Sequence, residues 1–198
     1  MNKANITGVI LAGGKNSRMG SDKGMLLIEG KKIVERTIDI LKPLVNEIII
    51  ISNGKNYEYL GYRVYNDIIK DRGPMGGIHT ALSYTKTDKM LVISCDMPFV
   101  SEKALSVLVN ESNEGEIVIP EHDDGKLEPL CAVYSISCNN KFEKLLRSCN
   151  WRMKDSLGFF NVHRIYFSGD ELPKQWFMNV NTPAEYQSIL QASHEYSG

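Results

Sequence analysis

Residues 6–23, Ile-Thr-Gly-Val-Ile-Leu-Ala-Gly-Gly-Lys-Asn-Ser-Arg-Met-Gly-Ser-Asp-Lys, decide the fold of this chain. The segment 6–11 is a nearly continuous apolar run of strand length, which is typical of a strand covered on both faces. Three glycines follow it, interleaved with Lys15, Arg18 and Lys23. Glycine lets the backbone approach a ligand and point N–H groups inward, and the cations neutralise charge that the amides leave. The stretch therefore predicts a buried strand that leads into a polyphosphate-binding loop.

Beyond this loop, the apolar segments alternate between strand and helix patterns. Strand-like runs lie at 47–52, 63–65 and 90–94, and helical patterns lie at 31–42, 76–85 and 101–110. This alternation predicts crossover connections and an α/β fold, a three-layer, Rossmann-like open sheet that is mostly parallel and has helices on both faces. Ligands of such sheets bind beyond the carboxyl ends of the strands, so the loops after the strands are expected to meet at one edge.

The C-terminal half follows a different pattern. Apolar runs at 116–120 and 129–134 flank a turn at 123–125, which predicts an antiparallel hairpin. Helical stretches are expected near 140–147 and 182–191.

Composition excludes several classes of protein. The 198 residues include 23 Lys+Arg and 24 Asp+Glu, a net charge of -1, and this balance gives no basic excess for nucleic-acid binding. No apolar run approaches the roughly 20 residues that span a bilayer, so no membrane association is expected. The four cysteines lack the spacing of zinc ligands. Reduced thiols and a cytoplasmic location are the expectation.

The glycine-rich loop matches neither of the two commonest phosphate-binding motifs. Gly14 stands where a Walker A loop would place its lysine, and the Gly-x-Gly-x-x-Gly fingerprint is absent. Its segments Leu-Ala-Gly-Gly (11–14), Ser-Arg-Met-Gly (17–20) and Asp-Lys (22–23) instead resemble the signature of nucleotidyltransferases that couple a nucleoside triphosphate to a phosphorylated acceptor.

Later motifs narrow this resemblance to one family. They are Gly-Pro-Met-Gly-Gly (73–77), Cys-Asp-Met-Pro (95–98) and Asn-Val-Asn-Thr-Pro (179–183), in order along the chain. Together with the loop they are most similar to the molybdenum cofactor guanylyltransferases, the MobA family, over residues 6 to about 186. The resemblance implies one nucleotidyltransferase domain, 1–198. We expect a nucleotide-binding half at 1–112, an acceptor-binding half at 113–192 and a tail at 193–198.

The resemblance implies a reaction and its partners. The family transfers GMP from GTP to the terminal phosphate of molybdopterin or its molybdenum-loaded form, releases pyrophosphate and forms the guanine dinucleotide cofactor. Mg²⁺ is the implied metal cofactor. Other molybdenum cofactor biosynthesis proteins and recipient molybdoenzymes are further implied partners. The alternatives are a related enzyme with another base or acceptor (a molybdenum cofactor cytidylyltransferase or a cobinamide-phosphate guanylyltransferase) and a non-catalytic nucleotide-binding regulator.

The resemblance also assigns expected roles to residues. Lys23 and Arg18 would neutralise the phosphates, and Asp96, directly after a buried strand, would bind the metal and the nucleotide. The other expected GTP-binding residues are Leu11, Ala12, Gly13, Gly14, Lys15, Asn53 and Asp67.

Some of these assignments stay open on the sequence. Asp67 matches a nucleotide-binding aspartate of the family, but Asp71 lies four residues further on and is the alternative. Asn53 is displaced from the family's usual position, and an Asn-Gly turn explains it equally well. Asn179 and Asn181 would lie on the metal or acceptor side, although Asn181 or Thr182 also suits a helix N-cap.

Overall fold

The computed structural model describes residues 5–13, 22–148, 152–167 and 174–195. Its strands are β1 (Ile6–Leu11), β2 (Leu27–Ile28), β3 (Lys31–Lys32), β4 (Glu47–Ile51), β5 (Arg63–Tyr65), β6 (Lys89–Ser94), β7 (Ile117–Glu121), β8 (Cys131–Ser135) and β9 (Val162–Tyr166). Its helices are α1 (Ile33–Leu41), α2 (Gly73–Tyr84), α3 (Glu102–Asn110), α4 (Asn139–Arg147), α5 (Met153–Ser156) and α6 (Pro183–Glu195).

Within these ranges the larger sheet has seven strands in the order β5-β4-β1-β6-β8-β7-β9. The strands β5, β4, β1 and β6 are parallel neighbours, and β7 and β9 are also parallel to each other. The strand β8 runs antiparallel to both of its neighbours, β6 and β7. The central strand β1 pairs along its whole length with β6, which brings Leu11 level with Ser94. The carboxyl ends of the first four parallel strands therefore lie along one edge.

Alternating side chains of the strands build two apolar layers. Ile10 and Ile50 belong to a cluster that also contains residues of α1 and α3. Their neighbours Leu11 and Ile51 belong to a second cluster, formed with residues of α2 and α4. Because successive residues of a strand point to opposite faces, strands that are apolar throughout must be covered on both sides. The predicted three-layer α/β arrangement, mostly parallel with helices on both faces, is confirmed.

The structure also refines the sequence-based boundaries. The predicted antiparallel pair is present as β7 and β8, but β8 inserts between β7 and β6 and joins the central sheet. Helix α2 begins at Gly73, earlier than expected. Helix α3 has the predicted cap, since Ser101 Oγ accepts a hydrogen bond from the Ala104 amide. Helix α6 continues to Glu195, so it takes in the first part of the expected tail.

Other sequence expectations concern the thiols and membrane association. Cys95, Cys131 and Cys138 are free and buried, and Cys149 lies outside the described residues. None of the helices in the described ranges combines the length and apolar character that crossing a bilayer requires.

Candidate active site

An open cleft of about 690 Å³ lies at the carboxyl ends of β1, β4 and β5. Its lining includes Leu11, Ala12 and Gly13 after β1, and Ser52, Asn53 and Gly54 after β4. The beginning of α2 closes another side of the cleft. The N-terminus of a helix favours anions, because its first N–H groups have no partner within the helix. The start of α2 is therefore the part of the cleft that favours an anion, whereas Asp22, Asp67 and Asp71 place carboxylates elsewhere in its lining.

Asn53 and Asp67 hold each other on one wall of the cleft. Asn53 Nδ2 donates to Asp67 Oδ2 at 2.8 Å, and the Asp67 amide donates to Asn53 Oδ1 at 3.0 Å. The next amide, of Ile68, donates to the buried Thr80 Oγ1 on α2 at 2.9 Å. Asp67 is thus held by Asn53, which lies just after the end of β4, and the backbone after Asp67 is held by α2.

Asp71 also lines the cleft, at the turn that leads into α2. Its backbone has φ 57°, in the left-handed region that aspartate and asparagine tolerate better than most residues. Gly77 lies on the first turns of α2, where a Cβ would come within 3.3 Å of Leu11 Cδ2. A larger residue at this position would therefore press on Leu11, which also lines the cleft.

The backbone next to β1 is less available than the sequence suggests. The Ala12 amide donates to the Ile51 carbonyl at 2.9 Å, and the Leu11 carbonyl accepts from the Cys95 amide at 3.0 Å. These bonds extend the sheet past the ends of its strands. The Ala12 amide is therefore occupied within the sheet.

Lys23, Asp96 and Asn181 come together at the border of this cleft. Lys23 Nζ donates to Asp96 Oδ2 at 3.2 Å and to Asn181 Oδ1 at 2.7 Å. The side chains of Lys23 and Asp96 are only 20% and 17% exposed. Their neighbours connect them to the cleft: Asp22, next to Lys23, lines it, and so does Leu11, whose carbonyl accepts from the amide of Cys95, next to Asp96. An ammonium ion and a carboxylate in partial burial interact more strongly than they would in open solvent.

A backbone hydrogen bond attaches the segment 179–181 to this cluster. The Val180 amide donates to the Asp96 carbonyl at 2.8 Å, and the Val180 side chain is fully buried. Thr182 is the residue that caps α6, because its Oγ1 accepts from the Glu185 amide at 3.2 Å. The Asn181 side chain is therefore not used as the helix cap, and it reaches Lys23 instead.

The oxygen atoms around Asp96 fit a hard divalent cation. Asp96 Oδ1 and Asn179 Oδ1 are buried, and neither has a hydrogen-bond partner among the residues that the structure describes. Buried polar atoms without partners are costly and uncommon in folded proteins. In the same ranges no group of three or more His, Cys, Asp or Glu side chains could hold a metal. Mg²⁺ suits this donor set, since it uses one or two carboxylates and completes its shell with phosphates and water.

Cys95, beside Asp96, is not equipped to act as a nucleophile. Its side chain is buried, and burial together with the charge of Asp96 raises the pKa of the Cys95 thiol to about 12. The thiolate is the reactive form of cysteine, so this residue is inert at neutral pH.

Several expected site residues are not part of the described structure. Gly14, Lys15 and Arg18 lie outside the described residues. The described members of the expected set form two neighbouring groups. Leu11, Ala12, Gly13, Asn53 and Asp67 line the cleft, and Lys23, Asp96 and Asn181 form the cluster at its border.

Sequence reasoning missed the residues that support the cluster. Asp22 accepts from the Gly24 amide and from the hydroxyl of the buried Tyr57. Asn56 Nδ2 also donates to Asp22 Oδ2 at 3.1 Å. The position of Asp22 directly before Lys23 was a possible signal, whereas nothing in the sequence distinguishes Tyr57 from an ordinary core tyrosine.

A second polar group lies in the connection between β7 and β8. Glu128 has a side chain only 6% exposed, and its Oε1 accepts from Lys126 Nζ at 2.5 Å and lies 3.0 Å from His122 Nε2. The ring of His122 packs edge-on against Phe177, four residues before Asn181. The connection is therefore held close to the C-terminal segment that carries Asn179 and Asn181.

Comparison with known proteins gives consistent results. The family model described as "MobA-like NTP transferase domain" matches residues 8–156. The chain is 37% identical to a protein of Clostridium perfringens named "Probable molybdenum cofactor guanylyltransferase", over 91% of this chain and 94% of that protein. It is 35% identical to a protein of Yersinia pestis named molybdenum cofactor guanylyltransferase, over 91% of this chain and 93% of that protein.

A solved structure has a similar fold. It is the molybdopterin-guanine dinucleotide biosynthesis protein A of Archaeoglobus fulgidus, with a TM-score of 0.80 and 26% sequence identity. The match covers 96% of this chain and the whole of that one. The family match to residues 8–156 therefore includes the residues that line the cleft.

Proposed function

The chain belongs to the MobA-like NTP transferase family, and we propose that it transfers GMP from GTP to the terminal phosphate of molybdopterin or Mo-molybdopterin. The product is the molybdopterin guanine dinucleotide cofactor, and pyrophosphate is released. The observation that carries this proposal is the contact of Lys23 with both Asp96 and Asn181 at the border of a cleft of nucleotide size. The partly buried Lys23–Asp96 pair places a cation and a carboxylate together, as nucleotidyl transfer requires.

The proposed reaction is one displacement at phosphorus. An oxygen of the acceptor phosphate attacks the α-phosphorus of GTP and forms a new P–O bond. The bond from the α-phosphorus to the α–β bridging oxygen breaks, and pyrophosphate leaves with that oxygen. The acceptor phosphate is already ionised at neutral pH, so the protein is not required to remove a proton. Its task is to align the two phosphates and to stabilise the developing charge.

Lys23 suits the neutralisation of the leaving pyrophosphate. Its ammonium group is held by Asp96 and Asn181 before any ligand binds, so little reorganisation is needed during the reaction. Asn53 and Asp67 would hold the nucleoside part of GTP in the cleft. Asn181 and Asn179 would face the acceptor side, together with the connection between β7 and β8.

Asp96 would hold a divalent metal ion, with Asn179 as a neighbouring oxygen donor. Their buried oxygens without partners in the described part of the chain support this assignment. When bound, Mg²⁺ would supply positive charge to the phosphate oxygens.

The function is tested by pyrophosphate release from GTP, CTP and ATP in the presence of Mg²⁺, with and without molybdopterin. We expect release that depends on GTP and on molybdopterin. Release with CTP instead of GTP would reject the guanylyltransferase in favour of a cytidylyltransferase. Release from GTP with a cobinamide phosphate, but not with molybdopterin, would show that the acceptor is cobinamide phosphate. Binding of nucleotide without any release would favour a regulator.

Replacing Asp67 by asparagine is expected to weaken GTP binding by about tenfold or more, because a hydrogen bond to a charged group is worth about 1.5–3 kcal/mol. The substitution keeps an acceptor for Asn53 Nδ2, so the wall of the cleft should keep its shape. Titration calorimetry with GTP measures the effect. Asp71→Asn is the matched control, since asparagine tolerates the left-handed backbone of that position. A larger loss of affinity in the control would transfer the assignment to Asp71.

A further inference from the structure

Asp22 is the residue that fixes the turn carrying Lys23. It precedes the single helical turn Lys23–Met25, and its Oδ1 accepts from the Gly24 amide at 3.2 Å. The Met25 amide donates to the Asp22 carbonyl at 3.0 Å. The direction of the Lys23 side chain therefore depends on where the Asp22 carboxylate is held.

The Asp22 carboxylate is held from the connection between β4 and β5. The Tyr57 hydroxyl donates to Asp22 Oδ1, and Asn56 Nδ2 donates to Asp22 Oδ2. Tyr57 has no exposed surface and packs in the same apolar cluster as Cys95. Tyr57 thus contacts Asp22, the residue that directly precedes Lys23.

Gly24 leaves the space that the Tyr57 hydroxyl occupies. A Cβ at Gly24 would lie 2.5 Å from the Tyr57 hydroxyl oxygen and 3.1 Å from Cε1. Real Cβ atoms do not approach other atoms at 2.5 Å, so any other residue at position 24 would displace the tyrosine or the turn. The close approach of Gly24 and Tyr57 makes their contact part of the geometry of the Lys23 turn.

We propose that Tyr57 is a positioning residue, whose hydroxyl holds the Asp22 carboxylate and thereby sets the placement of the Lys23 ammonium group against the Asp96 carboxylate. This inference rests on the proposed function, because it gives Tyr57 a role in nucleotidyl transfer. Tyr57 itself touches no substrate.

The test is Tyr57→Phe, which keeps the buried ring and removes the hydroxyl. We expect kcat for pyrophosphate release to fall by about 10- to 100-fold, as misplacement of a catalytic group by about 1 Å does, while the Kd for GTP rises by less than about threefold. A merely structural role would lower the melting temperature and leave the kcat of the folded fraction unchanged. Tyr59→Phe is the matched control, because Tyr59 is 54% exposed and its hydroxyl contacts Glu35 and Lys32, away from the cluster.

A kcat of Tyr57→Phe within about twofold of wild type would overturn the proposal. A fall in kcat that matches the loss of folded protein would overturn it as well. If wild type releases no pyrophosphate, the proposed function fails, and a crystal structure of the variant decides the question for Tyr57. In that structure, a Lys23 Nζ still in contact with both Asp96 and Asn181 contradicts the proposal, and a displaced Lys23 supports it.

Discussion

Replacing Asp96 by asparagine is expected to lower kcat for pyrophosphate release by about a thousandfold, which corresponds to about 4 kcal/mol of lost transition-state stabilisation. The substitution removes the charge that would bind the metal and that faces Lys23. The backbone carbonyl of residue 96, which accepts from the Val180 amide, is unchanged. The fold should therefore persist, with a melting temperature close to that of wild type. Steady-state kinetics over a series of Mg²⁺ concentrations measure the loss.

Asp88→Asn is the matched control for this variant. Asp88 is exposed and lies just before Lys89, at the opposite end of the strand that leads to Asp96. We expect its kcat to equal that of wild type. Nearly normal turnover of the Asp96→Asn protein would show that Asp96 has no role in the reaction. If circular dichroism shows that the Asp96→Asn protein is unfolded, the role of Asp96 is structural.

Replacing Lys23 by alanine is expected to lower kcat by about 10²–10³-fold, the usual cost of losing one group that stabilises developing charge. The change removes the only donor that the structure gives to Asp96 Oδ2 and Asn181 Oδ1 in the described residues. Asp96 is then left as a partly buried carboxylate without its cation. GTP affinity should fall too, because the phosphates lose a positive charge. Single-turnover measurements at saturating GTP separate the two effects.

Two further variants define the role of Lys23. Lys23→Arg keeps the positive charge but replaces the compact ammonium group by a planar guanidinium group. Its kcat should therefore lie between that of Lys23→Ala and that of wild type. Lys42→Ala is the control. Lys42 directly follows α1, is exposed and pairs with Asp39 of that helix. A Lys23→Ala protein with the turnover of the control would refute the assignment.

Much of the fold follows from local pattern. The strands β1, β4 and β6 lie where apolar runs predict them, because a parallel strand covered on both faces is apolar along most of its length. The edge strand β5 was also predicted, although none of its three residues is buried. The strand β9 reads Val-His-Arg-Ile-Tyr and was not predicted. It lies at an edge of the sheet and is mostly not buried, so its apolar signal is weak. The short pair β2 and β3 was also missed, because two residues in each strand are too few to show an apolar pattern.

For the candidate site as well, the sequence predicted some features and could not predict others. The order of motifs along the chain identifies the family, and the rule for parallel sheets predicts that the residues after β1, β4, β5 and β6 meet at one edge. The sequence could not show that Thr182 caps α6 and leaves Asn181 free to contact Lys23, 158 positions away. Nor could it show that the Ala12 amide, just after β1, bonds to the Ile51 carbonyl at the end of β4.

The sequence by itself determined the α/β class, because apolar periodicity acts over a few neighbouring residues, and its ordered motifs carried the resemblance that implied the type of chemistry. Only the tertiary structure decided which side chains meet: Asn181 with Lys23, Asn53 with Asp67, and Tyr57 with Asp22. Each of these contacts depends on how a strand end, a turn and a buried ring pack together. That packing depends on side-chain volume and direction across the whole core, which no local pattern specifies.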